Sequence, residues 1–355
     1  MGTYVAGVAV ALSELGELVS LLSREDLELG EPQERAGVET CVATDDRSLR
    51  QHLERLLAHE RTVVHCHGLW HRYTHEAVLV ARRKGAPAVV SPHGMLAPWA
   101  FAYRGWKKRI AWRAFQRRDL LRATALHATA PAEVDLLREA ALPLPIILSP
   151  PGIFLPPLVP PQESARRTAL FLGRIHPIKN LDGLIRAWGR VRPPGWRLVV
   201  VGIDSDGFES ELRNLAASLG LQGDVEFPGP AFGWEKQEWL NAADLFVLPS
   251  FTENFGIALV EAMASARPCI AGKGAPWSVL EERGAGWWVD VEDAPLAEAI
   301  EQATSCEPVE LTAMGLQARR LVEERYTWSR TASGLADGYR WLFDGGSPPA
   351  SVHLP

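Results

Sequence analysis

The clearest structural pattern of the chain lies in residues 245–272, LFVLPSFTENFGIALVEAMASARPCIAG. A short apolar run is followed by a turn, by an apolar segment with helical spacing, and by a second apolar run that ends in glycine. This order is typical of two parallel strands of one sheet that are joined by a helix. Ligands bind such sheets at the carboxyl ends of the strands, and the turn around Phe255 and Gly256 lies at one of these ends.

The same alternation of strands and helices extends outward over both halves of the chain. Strands are predicted for residues 17–23, 62–66, 86–91, 124–129, 145–150, 168–173, 196–202, 225–229, 245–250 and 268–272. Six prolines lie within residues 150–161, where they exclude a helix or an inner strand, so we place a linker there. The sequence therefore predicts an α/β protein of two doubly wound, Rossmann-like domains that face a cleft, over residues 1–155 and 162–327. A C-terminal helix at about residues 328–345 is expected to join the first domain.

The N-terminal segment lacks one expected element. Residues 4–15 have the apolar spacing of a helix, and a predicted strand follows them. A doubly wound domain would place another strand before this helix, and none is encoded. We therefore expect either a start codon that is assigned too late or a first domain whose sheet is missing its first strand.

Composition and charge exclude several classes of protein. The 355 residues are 47% hydrophobic and 23% charged, as in globular proteins and unlike disordered, collagen-like or coiled-coil chains. No apolar run reaches the ~18–20 residues that a membrane span needs. The net charge of −6 argues against general nucleic-acid binding. The four cysteines are scattered without a C-x-x-C pair, which favours reduced thiols and a cytoplasmic location.

Two glutamates in the 245–272 segment are candidates for ligand binding. Glu253 and Glu261 are eight positions apart, which on a helix separates the carboxylates by roughly 12 Å, too far for both to act on one bond. They are therefore expected to contact different parts of a long ligand. Glu261 has apolar neighbours and needs a hydrogen-bonding partner, for which a vicinal diol is suitable. The turn at Asn254, Phe255 and Gly256 presents backbone N–H groups to phosphate or to a developing negative charge.

A second segment, TALFLGRIHPIKNLDGLIRAWGRV (residues 168–191), supplies two cations. The predicted strand ends at Gly173 and a helix begins near Asn180, so Arg174 and Lys179 lie on the loop at the carboxyl end of the strand. An arginine fork and a lysine point charge at this edge are suited to a diphosphate.

These two segments resemble glycosyltransferase family 4, the retaining, nucleotide-sugar-dependent transferases of GT-B fold. The resemblance rests on G-R-x4-K at residues 173–179, followed by E-x7-E at residues 253–261. The runs HGLW (67–70), SPHGML (91–96) and LHATAPAE (126–133) resemble the bacterial exopolysaccharide branch of that family. The similarity extends over nearly all of residues 2–343.

The resemblance implies a role for each candidate residue. Arg174 and Lys179 would hold the donor diphosphate, and Glu261 would bind the ribose hydroxyls. Glu253 would act at the transferred sugar, with His93 reaching that sugar from the other domain. The remaining implied contacts are to the sugar from Asn254, Phe255 and Gly256, to the base from Phe227, Gly229 and Pro230, and on the acceptor side from Gly2 and His67. The resemblance implies no cofactor and no metal ion.

Two other functions share parts of this pattern. A nucleotide-sugar 2-epimerase of GT-B fold would use the same donor without an acceptor, although the G-R-x4-K loop argues against it. A non-catalytic nucleotide-sugar-binding protein is the second alternative, because the first strand is missing. Our principal prediction is a transferase that moves a sugar to a glycan or a polyprenyl-diphosphate-linked acceptor in polysaccharide biosynthesis.

Two further motifs carry separate predictions. His65, His67, His71 and His75 have spacings compatible with metal binding, but they extend over a strand end and a helix start, so we expect no metal. Asp204, in the run VVGIDSDG (200–207), is predicted to cap a helix and to have no part in catalysis.

A basic, aromatic block lies at residues 99–122, with eight basic residues, one acid and six aromatic rings. Such a block can lie on an anionic membrane surface, which here would be the inner face of the cytoplasmic membrane. The alternative is a packed helix in which Ile110, Ala111, Ala114 and Phe115 face the core and the arginines face water.

Overall fold

The computed structural model describes residues 2–25, 37–97, 105–159, 165–204 and 207–355. The chain divides into two compact units. The first unit contains Met1–Gly152 and Trp328–Pro355, and the second contains Ile153–Thr327. In the described ranges, no helix is long and apolar enough to span a membrane.

The first unit is built on a five-stranded sheet of order β13-β6-β5-β4-β3, in which only β13 is antiparallel. A separate pair, β1 and β2, is parallel, and neither of these two strands pairs with β3 or with another described strand of the five-stranded sheet. The strands of the unit are β1 (Ser20–Ser23), β2 (Glu39–Val42), β3 (Val64–His67), β4 (Ala88–Ser91), β5 (Ala125–Ala128), β6 (Ile146–Leu148) and β13 (Val352–His353). The helices are α1 (Gly2–Glu14), α2 (Asp46–Leu56), α3 (Arg72–Arg83), α4 (Gly105–Ala111), α5 (Arg117–Arg122), α6 (Pro131–Glu139) and α14 (Trp328–Asp344).

Helices α1 and α14 cover one face of this sheet together. Val8, Leu12, Trp328 and Leu335 pack with Ile147 of β6 in one buried cluster. Gly7 allows this close contact, because a Cβ atom there would lie 2.2 Å from the Trp328 ring. The predicted N-terminal helix is thus confirmed, and its buried face packs against the C-terminal helix.

The second unit is a six-stranded parallel sheet of order β12-β11-β10-β7-β8-β9 with helices on both faces. Its strands are β7 (Arg167–Leu172), β8 (Trp196–Val201), β9 (Val225–Gly229), β10 (Leu245–Leu248), β11 (Cys269–Gly272) and β12 (Gly286–Val289). Its helices are α7 (Leu181–Val191), α8 (Phe208–Ser218), α9 (Gly233–Ala242), α10 (Ile257–Ala264), α11 (Val279–Glu282), α12 (Asp293–Ser305) and α13 (Pro308–Arg325).

The strand order places β7 and β10 side by side in the middle of this sheet. Strands β8 and β9 follow on one side of β7, and β11 and β12 follow on the other side of β10. The loops that leave the carboxyl ends of β7 and β10 are therefore neighbours. This is the point at which doubly wound sheets bind their ligands.

All ten predicted strands are present; nine of them contain buried residues, and Ser20–Ser23 is partly buried throughout. Three strands were not predicted. Glu39–Val42 has one buried side chain of four, Gly286–Val289 is a partly exposed edge strand, and Val352–His353 contains only two residues. Strands of these kinds carry little periodic signal.

Candidate functional site

The loop after β7 presents Arg174 and Lys179. The ring of His176 accepts a hydrogen bond from Ile178 N over 3.1 Å, which begins the 3-10 turn Pro177–Lys179. Asn180 follows in the left-handed conformation at φ 53°, and its side chain donates to Val291 O over 2.8 Å. Arg174 is exposed and makes no ion pair with any described residue, whereas Lys179 is largely shielded.

Lys179 forms an ion pair with Glu253, the first of the two predicted glutamates. Ser250 Oγ donates to the same carboxylate oxygen over 2.8 Å, and Glu253 N donates to Gly274 O over 2.9 Å. The loops after β7 and β10 are also joined by a hydrogen bond of 3.0 Å from Phe251 N to Ile178 O. The structure thus brings Lys179 and Glu253 together at the predicted edge of the sheet.

The helix that follows begins later than the sequence analysis assumed. Helix α10 starts at Ile257, so Glu253 lies on the preceding loop and a helical rise does not describe its distance from Glu261. Gly256 has φ 84°, a conformation that glycine adopts without strain, and it leads the chain into the helix. Phe255 is buried against Trp277 and Tyr326, with ring centroids 5.2 and 5.6 Å away, and this packing fixes the turn.

Glu261 has the partner that its apolar surroundings require. Lys236 of α9 donates to Glu261 Oε1 over 2.7 Å. The sequence analysis predicted the need for a partner and did not identify the lysine, because the contact joins two helices that are far apart in sequence.

Strand β9 is an outermost strand of the sheet. It carries the predicted base-contacting residues at and near its carboxyl end, on the side of the sheet where β7 and β10 also end. Phe227 is buried, and the guanidinium of Arg213 lies 4.8 Å from its ring centroid and donates to its carbonyl over 2.9 Å. Gly229 has φ 97° and its carbonyl accepts a hydrogen bond from Gly202 N over 3.1 Å. Pro230 is exposed.

Asp204 is a helix cap, as predicted. Its carboxylate accepts hydrogen bonds from Phe208 N and Glu209 N, over 3.0 and 3.1 Å, at the start of α8.

A row of polar side chains crosses the sheet of the first unit near the carboxyl ends of its strands. His65 of β3 contacts Ser91 of β4 over 2.6 Å, Ser91 contacts His127 of β5 over 2.6 Å, and His127 contacts Ser149 O over 3.0 Å. The other nitrogen of His65 is bonded to Tyr339 of α14. Burial lowers the pKa of His127 to about 4 and holds the pKa of His65 well below its usual value, so both histidines of this row are uncharged near neutral pH.

His67 and His93 meet beside this row. His67 Nδ1 and His93 Nε2 are 3.0 Å apart, and the edge of the Tyr4 ring packs on both imidazoles. Burial, together with the charge that His127 would carry, lowers the pKa of His93 to about 3. His93 is thus a neutral imidazole in a left-handed turn at φ 52°. Gly2 is exposed at the start of α1.

Glu133 is a buried residue of this region that the sequence analysis did not select. One carboxylate oxygen accepts from Gly94 N over 2.6 Å, and the other accepts from the N–H and hydroxyl of Thr129, each over 2.8 Å. The carboxylate therefore joins the turn of His93 to the loop after β5. Its position in the first turn of α6, two residues after Pro131, is the sequence signal that could have identified it.

Three of the four histidines considered for a metal ion, His65, His67 and His75, each have a different partner. His71 precedes α3, and His75 is bonded to Asp119 over 2.7 Å. Within the described ranges, no group of three or more histidine, cysteine or acidic residues is arranged to hold a metal ion.

The basic, aromatic block is helical where it is described, from Gly105 onward; residues 99–104 lie outside the described residues. The packed-helix alternative is wrong in two positions, because Ile110 and Ala114 are exposed. The segment Trp112–Gln116 is a π-helical turn, which contains one residue more than an α-helical turn. The buried face of the helix after it is therefore rotated relative to the buried face of the helix before it. The residues that the turn buries are Gln116, Asp119 and Leu120.

Two family models match most of the chain. One described as "Glycosyl transferase 4-like domain" matches residues 1–152, and one described as "Glycosyl transferases group 1" matches residues 166–305. Two curated relatives are both D-inositol 3-phosphate glycosyltransferases. The protein of Stackebrandtia nassauensis is 33% identical over 58% of this chain and 50% of its own length. That of Rhodococcus erythropolis is 30% identical over 74% of this chain and 64% of its own length. The chain thus spans about half the length of the first of these relatives.

Among solved structures, Anabaena HepE in complex with UDP and glucose aligns with a TM-score of 0.72 and 17% identity over 95% of each chain. This likeness shows the fold, which is the GT-B type built from two Rossmann-like units.

Proposed function

Because this chain belongs to the group 1 glycosyltransferases, we propose that it transfers a sugar from a nucleotide diphosphate sugar to a hydroxyl of a glycan or lipid-linked acceptor. The observation that carries the proposal is the cluster of Lys179, Glu253 and Ser250 where β7 and β10 end side by side. The curated relatives named as glycosyltransferases, and the UDP and glucose bound to HepE, support a nucleotide sugar as donor.

The donor is held by the second unit in this proposal. Arg174 and Lys179 hold the diphosphate, and Glu261 accepts hydrogen bonds from the ribose hydroxyls. Phe227, Gly229 and Pro230 flank the base. Glu253 and the turn of Asn254, Phe255 and Gly256 hold the sugar. The resemblance to family 4 supports these roles, as does the position of these residues, apart from Glu261, on or in the loops just beyond β7, β9 and β10. Glu261 lies in α10, the helix that follows β10.

The first unit would supply His93 to the sugar, with His67 and Gly2 on the acceptor side. A neutral His93 can donate or accept one hydrogen bond at a sugar hydroxyl without competing for the diphosphate charge. The hydrogen bond to His67 and the contact of Glu133 with the following residue, Gly94, hold the ring and its turn in place.

Catalysis in this proposal is the stabilisation of the departing diphosphate. The two cations and the backbone N–H groups of the turn at Gly256 face the charge that forms as the glycosidic bond breaks. No covalent nucleophile is required if the acceptor attacks from the face that the diphosphate leaves, with retention of configuration. We propose that no metal ion is needed and that the acceptor belongs to polysaccharide biosynthesis.

The test is an assay of wild-type protein with UDP-, GDP- and ADP-hexoses, followed by chromatography and NMR. Release of nucleoside diphosphate, slow with water and faster with an acceptor, is the expected result. The Glu253→Gln substitution should lower turnover by ~100-fold without weakening the binding of free diphosphate. The reason is that Glu253 contacts the sugar, and these contacts strengthen in the transition state. A 2-epimer formed from donor alone would establish the epimerase alternative, and binding without turnover of any donor would favour a non-catalytic protein.

We further propose that the helical segment Gly105–Arg122 contacts an anionic membrane in which a polyprenyl-linked acceptor is anchored. Trp106 and Ile110 are 66% and 60% exposed, four residues apart on one face. Lys107, Arg109, Arg113, Arg117 and Arg118 are also exposed around them. Exposed apolar side chains among cations are suited to a surface of anionic headgroups above acyl chains.

Co-sedimentation with anionic phosphatidylglycerol vesicles tests this contact. Replacing Lys107, Lys108 and Arg109 with glutamine should release the protein, since each cation near such a surface contributes about 1 kcal/mol, and raised salt should do the same. Neutralising Arg82, Arg83 and Lys84, exposed at the end of α3, is the control with the same change of charge. Wild-type protein that stays in the supernatant at low salt, or equal release by both triple variants, would contradict the proposal.

A further inference from the structure

A lysine outside the motifs of the sequence analysis contacts the second carboxylate of the candidate site. Lys236 lies in the first turn of α9, and Glu261 lies in α10, 25 residues later. Their side chains retain 30% and 23% of their exposure, so the 2.7 Å contact is partly shielded from water. The ion pair therefore joins the two helices beside the carboxyl ends of β9 and β10.

The surroundings of Glu261 distinguish this pair from an ordinary surface ion pair. Glu261 is the single charged residue of α10, and the five other residues from Leu259 to Ala264 are buried. Its side chain cannot move to a second cation on the same helix. A carboxylate in such a position needs a partner that both neutralises and orients it.

The contact also leaves part of the carboxylate open. Lys236 binds Oε1, and Oε2 accepts no hydrogen bond from the described part of the chain. A lysine makes a single-point contact, whereas an arginine fork in the same place could occupy both oxygens. Lys236 has no acceptor of its own, so it cannot replace the carboxylate as the group that accepts from a hydroxyl.

We propose that Lys236 is a positioning residue for the ribose of the donor nucleotide: it holds Glu261 with one oxygen open to a ribose hydroxyl. This inference rests on the proposed function, in which Glu261 binds the ribose. Lys236 acts through Glu261, so its loss weakens recognition of the ribose hydroxyls and leaves contacts to the diphosphate and the base in place.

Titration calorimetry with paired nucleotides tests this role. UDP, GDP and ADP are each compared with their 2′,3′-dideoxy forms, in wild type and in the Lys236→Met variant. The variant should bind the preferred ribonucleotide ~10-fold more weakly and should bind its dideoxy form as well as wild type does. Arg197→Met is the control, because Arg197 has a similar exposure of 29% and pairs with Glu226 between β8 and β9 over 3.2 Å. This control should leave both affinities unchanged.

The outcomes separate the inference from the proposed function. If wild type binds a ribonucleotide and Lys236→Met binds it equally well, the inference is wrong and the proposed function stands. An equal loss for the ribose and dideoxy forms would also overturn the inference, since it would indicate a general disturbance of the site. A wild-type protein that binds none of the three nucleotides would overturn the proposed function and this inference with it.

Discussion

Both glutamates of the candidate site are paired with lysines, and the two pairs differ in what donor binding requires of them. Lys179 is paired with Glu253, yet the proposed function assigns Lys179 to the diphosphate. Donor binding would therefore transfer Lys179 from Glu253 to phosphate oxygens, and the sugar hydroxyls would replace it at Glu253. Lys236 can keep its contact with Glu261 throughout. Breaking the pair of Lys179 and Glu253 costs free energy, and this cost makes donor binding less favourable.

The buried histidines of the first unit predict a loss of stability in acid. Burial lowers the pKa of His127 to about 4, below the value of about 6.5 that it regains on unfolding. As the pH falls, the unfolded state is therefore protonated at His127 before the folded state. The stability that neutral His127 contributes is fully present above pH 6.5 and is lost as the pH falls toward 4. Between pH 7 and pH 5, His127 alone should lower the free energy of unfolding by about 2 kcal/mol.

Urea denaturation of wild type and His127→Gln at the two pH values measures this contribution. The variant cannot titrate at this position, so its loss of stability between pH 7 and pH 5 should be smaller than that of wild type by about 2 kcal/mol. The exposed residue His59 provides the control, and His59→Gln should lose as much stability as wild type. Equal losses in wild type and His127→Gln would show that His127 is not held neutral by the fold.

Sequence patterns placed the candidate residues on their loops and helices but did not identify their partners. Arg174, Lys179 and Glu253 follow directly from strand ends and turn residues. The pairing of Lys236 with Glu261 depends on how two helices pack, and α9 has no strong periodicity that would show which face is buried. Glu133 was missed because a glutamate in the first turn of a helix is common, and its hydrogen bond to Gly94 arises only from the adjacency of β4 and β5.

At the level of elements, the central strands were predictable because they are buried on both faces and read as short apolar runs. The start of α10 was predicted less accurately. The residues from Glu253 to Gly256 form a turn, since Phe255 is held by Trp277 and Tyr326 and Gly256 adopts a positive φ. The π-helical turn at Trp112–Gln116 was likewise not predictable from a 3.6-residue period, and it changed which face of the basic segment is exposed.

At the level of the whole molecule, the two units carry different parts of the proposed chemistry. The second unit holds the cations and carboxylates assigned to the donor, and the first unit holds neutral histidines and the basic segment. Binding of a free nucleoside diphosphate, which has no sugar for His93 to contact, should therefore be weakened by substitutions at the donor residues of the second unit and should be insensitive to a comparable substitution in the first unit.

Calorimetric titration of wild type and Lys179→Ala with UDP, GDP and ADP tests the donor site most directly. Wild type should bind one of these diphosphates, and Lys179→Ala should bind it roughly 10- to 150-fold more weakly, since a charge-assisted contact of this kind contributes ~1.5–3 kcal/mol. Lys84→Ala, at an exposed position after α3, should bind as wild type does. Equal affinities in wild type and Lys179→Ala, or no binding of any diphosphate by wild type, would contradict the assignment of the donor site.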